Sequence, residues 1–100
     1  MSLKQPFAVN VISSASEQTL NLLWIEISSP TGDFVVGYGH KPLISLISPK
    51  SRITYETQEN TMASFDVLGG LITISQNGIN IFLFETKAPR DNLDVQNGKS

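Results

Sequence analysis

Apolar and polar residues alternate along this chain in short runs, and turn-forming residues close each run after five to eight positions. Phe7, Val9 and Val11 alternate with Ala8, Asn10 and Ile12, a period of two that suits a strand with one buried face. Ser13 to Ser16 is small and polar and reads as a turn. Leu20 to Ile27 (LNLLWIEI) is apolar on both parities, which predicts a strand lying between two layers. Pro30-Thr31-Gly32-Asp33 is a turn signal. Phe34-Val35-Val36 follows, then a knot at Gly37 to Pro42, then a second apolar run from Leu43 to Ile47.

Ser48 to Ser51 makes another turn. Arg52 to Thr57 sets Ile53 and Tyr55 on one face, and Gln58 to Thr61 is a hydrophilic hairpin tip. Met62 to Leu68 alternates again and is stopped by Gly69-Gly70. Leu71–Ser75 and Ile79–Phe84 flank Gln76-Asn77-Gly78, and an Asn-Gly pair between alternating runs predicts a hairpin with a type I′ turn. Closely spaced short strands with no helical period of ten or more residues predict an all-β fold. The expected form is a two-layer sandwich or flattened barrel of mostly antiparallel strands, with the domain at residues 1–88 and a polar tail at 89–100.

Composition narrows the functional classes. Hydrophobic residues make up 40% of the 100 positions and charged residues 16%, the balance of a folded domain. The net charge is −2 with no basic run, so nucleic-acid binding has no electrostatic footprint. There is no cysteine, hence no disulfide or thiolate chemistry. No run approaches the ~20 apolar residues of a membrane span, and the N-terminus lacks the apolar core of a secretory signal. The expectation is a soluble, cytosolic protein without direct membrane insertion.

Catalysis would centre on His40, the single histidine, with Asp33, Asp66 or Glu26 as partners and Ser45 or Ser64 as nucleophiles. Nothing in their spacing brings them together, and the plainer role for His40 is to order its loop by bonding to nearby backbone. One histidine and scattered acids do not supply a metal site, and no phosphate-binding loop exists. No cofactor, metal or small-molecule substrate is therefore expected, and no enzymatic activity. Trp24, in an apolar strand, reads as core. Tyr38 stands between two glycines, where the chain cannot easily bury it, and reads as an interface anchor.

Gly32-Asp33-Phe34 followed by Gly39-His40-Lys41-Pro42-Leu43 resembles the G-E-L-G-I-x-P-G-H-x-P-L motif of the epsilon-subunit family of F-type ATP synthases, called delta in mitochondria. Leu43 to Pro49 is similar to the family's P-L-L-T-x-L-x-P segment. Gly69-Gly70 matches the glycine pair before its last hairpin, Gln76-Asn77-Gly78 its turn, and Pro89 to Asp94 its charged link. The likeness runs from about Phe7 to Val95. It departs at Asp33 (a shorter acid), Val35 (for glycine), Tyr38 (for proline), Lys50 (for glycine) and Leu68 (for serine). The family's C-terminal helical hairpin has no counterpart before Ser100.

The resemblance implies a non-catalytic rotor subunit in the central stalk, docking on the gamma subunit and the c-ring, peripheral to the energy-coupling membrane. It places the Gly32-Asp33 loop toward the ring, and the Gly39 to Leu43 loop with its sheet face near gamma. The interface residues expected on this basis are Asp33, Tyr38, His40, Lys41 and Pro42. The positions where backbone demands glycine are Gly32, Gly39, Gly69, Gly70 and Gly78. Without the hairpin, neither inhibitory insertion nor ATP sensing is expected. The alternative is a free-standing β-sandwich adaptor that docks on another protein.

Overall fold

The computed structural model describes residues 5–84, and the expected tail at 89–100 lies outside them. Eight strands follow one another: β1 Phe7–Ile12, β2 Glu17–Ser29, β3 Gly32–Val36, β4 Leu43–Ile47, β5 Ser51–Thr57, β6 Met62–Val67, β7 Gly70–Ser75 and β8 Gly78–Leu83. No helix occurs among the described residues. The strands are hydrogen-bonded in the order β4-β7-β8-β1-β2-β5-β6, with β3 also on β2. All neighbours are antiparallel except β1 and β8, which run parallel.

This single path of strands doubles back on itself at β2, which is 13 residues long. Its first half, Glu17 to Leu22, pairs with β1. Its second half pairs with β3 through Ile25 to Ser29, and with β5 through Leu22 to Glu26. β2 thus belongs to both layers. One layer is β4-β7-β8-β1 with the start of β2, and the other is the end of β2 with β3, β5 and β6. Their facing side chains form one core: Val9, Val11, Leu22, Ile47, Ile72, Ile74, Ile79 and Ile81 from the first layer meet Ile25, Ile27, Val36, Ile53 and Val67 from the second.

The apolar run in β2 has a different cause from the one its composition suggests. Leu22 opposes Thr57 and Trp24 opposes Glu56, so Leu23 is an extra residue with no partner on β5. Such a bulge bends the strand and shifts its side-chain parity by one. Before it, Leu20 and Leu22 point inward; after it, Ile25, Ile27 and Ser29 do. Trp24 accordingly is not in the core. It is half-buried on the outer face, opposite Glu56, and its indole N–H donates to the Glu56 carboxylate at 2.8 Å.

The last hairpin also differs in its turn. Gln76 and Asn77 form the two-residue loop between the paired Ser75 and Gly78. Neither takes the positive φ that type I′ needs at both central positions; Gly78 takes it instead, at 137°. The β2–β3 hairpin repeats this solution, with Pro30-Thr31 as the loop and Gly32 at 135°. Proline's fixed negative φ rules out the primed turn there as well.

The outer faces of the two layers differ in character. Glu26, Asp33, Glu56 and Asp66 face outward on the second layer, against one arginine. That residue, Arg52, sits opposite Asp66 and bonds it at 2.8 Å. This hydrogen bond and the guanidinium charge hold the Asp66 carboxyl below its ordinary range. Both side chains are solvent-exposed, so the pair adds little stability.

Candidate protein-binding surface

At the end of β3 the chain must leave the second layer and reach the first, where β4 begins. It does so through Gly37 to Pro42. Val36 is fully buried and fixes the departure point. The His40 N–H then donates to the Gly37 carbonyl at 3.2 Å, closing a four-residue turn. Gly39, third in that turn, has φ 77°, the left-handed value that a type II turn requires at this position. Tyr38 therefore occupies the outer corner, and it is 63% exposed.

His40 is held from two sides. Its Nδ1–H donates to the Lys41 carbonyl at 2.8 Å, and its ring lies 6.4 Å from that of Phe34, tilted by 41°. A carbonyl oxygen only accepts, so this bond requires the proton on Nδ1. The structure does not gather a triad around it. Asp66 bonds Arg52, the Ser45 hydroxyl bonds the Leu46 carbonyl, and Glu26, Asp33 and Ser64 face outward on the second layer. Among the described residues no cluster of three or more metal-ligating side chains forms.

Tyr38, His40 and Pro42 line an open groove of about 520 Å³ together with Phe7, Ile74, Ile79 and the Gln76–Gly78 turn. Lys41 and Pro42 are exposed beside it. Asp33 is not part of this surface. It lies within β3, paired with Ser28, rather than in the turn that its neighbours Pro30 and Gly32 suggest. At about 3.3 Å per residue, β3 separates it from Tyr38 by roughly 15 Å. The hairpin tip beside Asp33 is tied down by Ser29, a buried residue whose hydroxyl donates to the Gly32 carbonyl at 2.6 Å.

Gly70 plays a different part, in the β7 strand at the far end of the first layer. A Cβ there would collide with the backbone carbonyl of Phe82 on β8. Gly69 beside it has φ 129°, and its carbonyl accepts the Phe84 N–H at 3.1 Å.

A second surface is harder to see in the sequence. Register carries one row of outward side chains across the first layer, Leu46 on β4, Leu71 on β7, Phe82 on β8 and Ile12 on β1. Leu46 is 54% and Phe82 38% exposed, and nearby Ile44 is 72% exposed. The next row starts from Ile44 on β4 and is polar beyond it, through Thr73, Asn80, Asn10 and Thr19. Within it Asn10 donates to Asn80 at 3.0 Å and accepts from Thr19 at 2.8 Å. In the sequence nothing marks these apolar residues as outward; the one signal for them is that β4 and β8 carry apolar residues on both parities.

Comparison with known proteins agrees with this architecture. Residues 9–86 match the family model described as "ATP synthase, Delta/Epsilon chain, beta-sandwich domain". An ATP synthase epsilon chain from Teredinibacter turnerae is 29% identical over 86 residues, covering 85% of this chain and 60% of the relative. The fold is similar to a chain in the Euglena gracilis mitochondrial ATP synthase, OSCP/F1/c-ring assembly, with a TM-score of 0.73 and 16% identity over 80% of this chain and 51% of that one. A chain of the Tetrahymena thermophila mitochondrial ATP synthase central stalk and c-ring gives 0.66 and 15%, over 84% and 67%. The chain thus spans about 60% of the length of the curated relative.

Proposed function

The chain belongs to the family of the ATP synthase delta/epsilon chain β-sandwich domain, and from that premise we propose that it is a non-catalytic subunit of the central stalk. In this role it docks on the gamma subunit and on the c-ring, peripheral to the energy-coupling membrane, and helps couple proton flow to ATP synthesis. The observation that carries the reading is the family match across residues 9–86, nearly the whole described fold. The physical demand on such a part is stiffness under a twisting load. A close-packed two-layer core with β2 common to both layers suits that demand.

On this reading the family resemblance implies two separate contacts. The Gly32-Asp33 end of the β2–β3 hairpin meets the ring. The turn bearing Tyr38, with His40, Lys41 and Pro42 and the apolar row of the first layer, meets gamma. The family match supports this reading over a free-standing adaptor. Co-purification with the tagged chain tests it: recovery of gamma and c subunits supports the stalk role, and their absence from the purified material contradicts it.

Tyr38→Ala will weaken binding to gamma by roughly 1–2 kcal/mol, as loss of an aromatic anchor does. Its stability will stay within about 0.5 kcal/mol, because an exposed turn side chain supports little. Asp33→Lys will chiefly change the association rate with the ring and its salt dependence. Calorimetric melting and binding titrations on the same variants check both. A Tyr38→Ala protein that melts early yet binds normally would make the loop structural.

A further inference from the structure

Among the described residues Asn77 alone is an asparagine followed by glycine, and it stands at the tip of the β7–β8 hairpin. Its backbone N–H donates to the Ser75 hydroxyl at 3.1 Å, while its side-chain amide is exposed and makes no hydrogen bond among the described residues. Gly78 follows without a side chain, and no atom lies within 4 Å of the place its Cβ would take. We propose that this turn is a site of spontaneous modification, in which the Asn77 side chain loses ammonia and the residue becomes aspartate or isoaspartate.

The step needs water alone. Hydroxide removes the Gly78 amide proton, the nitrogen attacks the Asn77 Cγ, and the bond from Cγ to the side-chain nitrogen breaks as ammonia leaves. Water then opens the cyclic imide at either carbonyl. One opening gives aspartate, and the other gives isoaspartate, with the backbone now routed through the side chain. A side chain on the following residue crowds the attacking nitrogen, and glycine removes that obstacle. The other described asparagines are shielded. Asn10, Asn21 and Asn80 lie in strands before Val11, Leu22 and Ile81, and Asn10 bonds Asn80 at 3.0 Å. Asn60 lies in a turn, but Thr61 follows it, and the Thr61 N–H is held by the Thr57 hydroxyl at 3.2 Å. At Asn77 only the terminal pair of the ladder, Ser75 with Gly78, has to open, and element ends open most readily. The turn lines the groove with Tyr38 and His40. Aspartate sets a carboxylate on the groove's rim, and isoaspartate adds a carbon to the backbone of the turn, so this surface changes irreversibly with the age of the molecule. The inference goes beyond the stalk reading and does not rest on it.

Incubation of the folded full chain for weeks near neutral pH, followed by peptide mapping, will find conversion at Asn77 at least tenfold faster than at Asn10, Asn21, Asn60 or Asn80. Asn97-Gly98 carries the same pair in the sequence, so the mass change is assigned peptide by peptide. The rate at Asn77 will rise in proportion to hydroxide, and an isoaspartyl methyltransferase will label the product. Asn77→Gln, whose longer side chain closes its ring far more slowly, will lose that label at this peptide while keeping the sheet spectrum and melting temperature. Conversion at Asn77 no faster than at Asn60 overturns the proposal, as does conversion that yields no isoaspartate or ignores pH. An Asn77 that converts only when the chain is unfolded in urea overturns it too.

Discussion

Deletion of Leu23 will abolish stable folding, although the side chain removed is only half-buried. The residue contributes through its count. Without the extra position, β2 keeps one parity from end to end, and one half must turn its inward residues out. If the first half stays paired with β1, Ile25 and Ile27 move to the solvent face, and both are completely buried here. Each such side chain contributes about 1.5–3 kcal/mol when buried. Together that is roughly 3–6 kcal/mol, against a total stability of about 5–15 kcal/mol for a domain of this kind. Sliding the strand offers no escape, because it would expose Leu22, also completely buried. Leu23→Ala, which keeps the count, will cost less than about 1.5 kcal/mol. Circular dichroism melts of the two variants check the contrast. A deletion variant that melts near the parent would show that parity is set elsewhere.

Gly70→Ala will be the most damaging single substitution of a glycine. The added methyl points at the Phe82 carbonyl, a backbone atom in the adjoining strand, and no rotamer change can clear it. Overpacking against a side chain typically costs about 1–3 kcal/mol. Here β7 and β8 themselves must part where Gly70 pairs with both Leu83 and Ile47, so the cost will lie at or above about 3 kcal/mol. For a domain of this size that lowers Tm by roughly 12–24 °C. Gly37→Ala is the matched control. No atom lies within 4 Å of its Cβ position, and its φ is not in the left-handed range. It will be neutral or raise stability by about 0.4–1 kcal/mol. Equal losses in the two variants would remove the collision as the cause.

These two sites also mark where sequence reasoning runs out. Alternation is a local signal, and it marks strands such as β1 and β7, where Val9 and Val11, or Ile72 and Ile74, repeat at the period of the pleat, while β2, β3 and β4 show as apolar runs closed by turn residues. The bulge left a trace in the sequence too. LNLLWIEI is apolar on both parities because the inward set changes at Leu23, but a strand buried on both faces would leave the same trace. For that reason Trp24 reads as core, whereas it lies half-buried on the outer face. Pro30 and Gly32 dominate the local signal and make Asp33 read as a turn residue, while its pairing with Ser28 depends on where the two-residue loop falls. The loop at Gly37 to Pro42 was legible, since two glycines around an aromatic already indicate a turn with an exposed corner. The apolar row from Leu46 to Ile12 was not, because an outward leucine and an inward one look alike until register is known.

The parallel pairing of β1 with β8 also imposes an order in time. Asn10 and Asn80, bonded across it, are 70 residues apart in the chain. As a nascent polypeptide leaves the ribosome, β1 must wait for almost all the rest before its second neighbour exists. The layer made by the end of β2 with β3, β5 and β6 needs nothing beyond Val67 and can assemble from adjacent hairpins. Distant pairings carry the larger loop-closure cost and come late. Pulse-labelled amide exchange during refolding will therefore find Ile53 protected before Ile81. Until that last strand arrives, the inward faces of β1 and β2 are uncovered, and this is the interval in which the growing chain is most open to capture by a chaperone or by another unfinished copy.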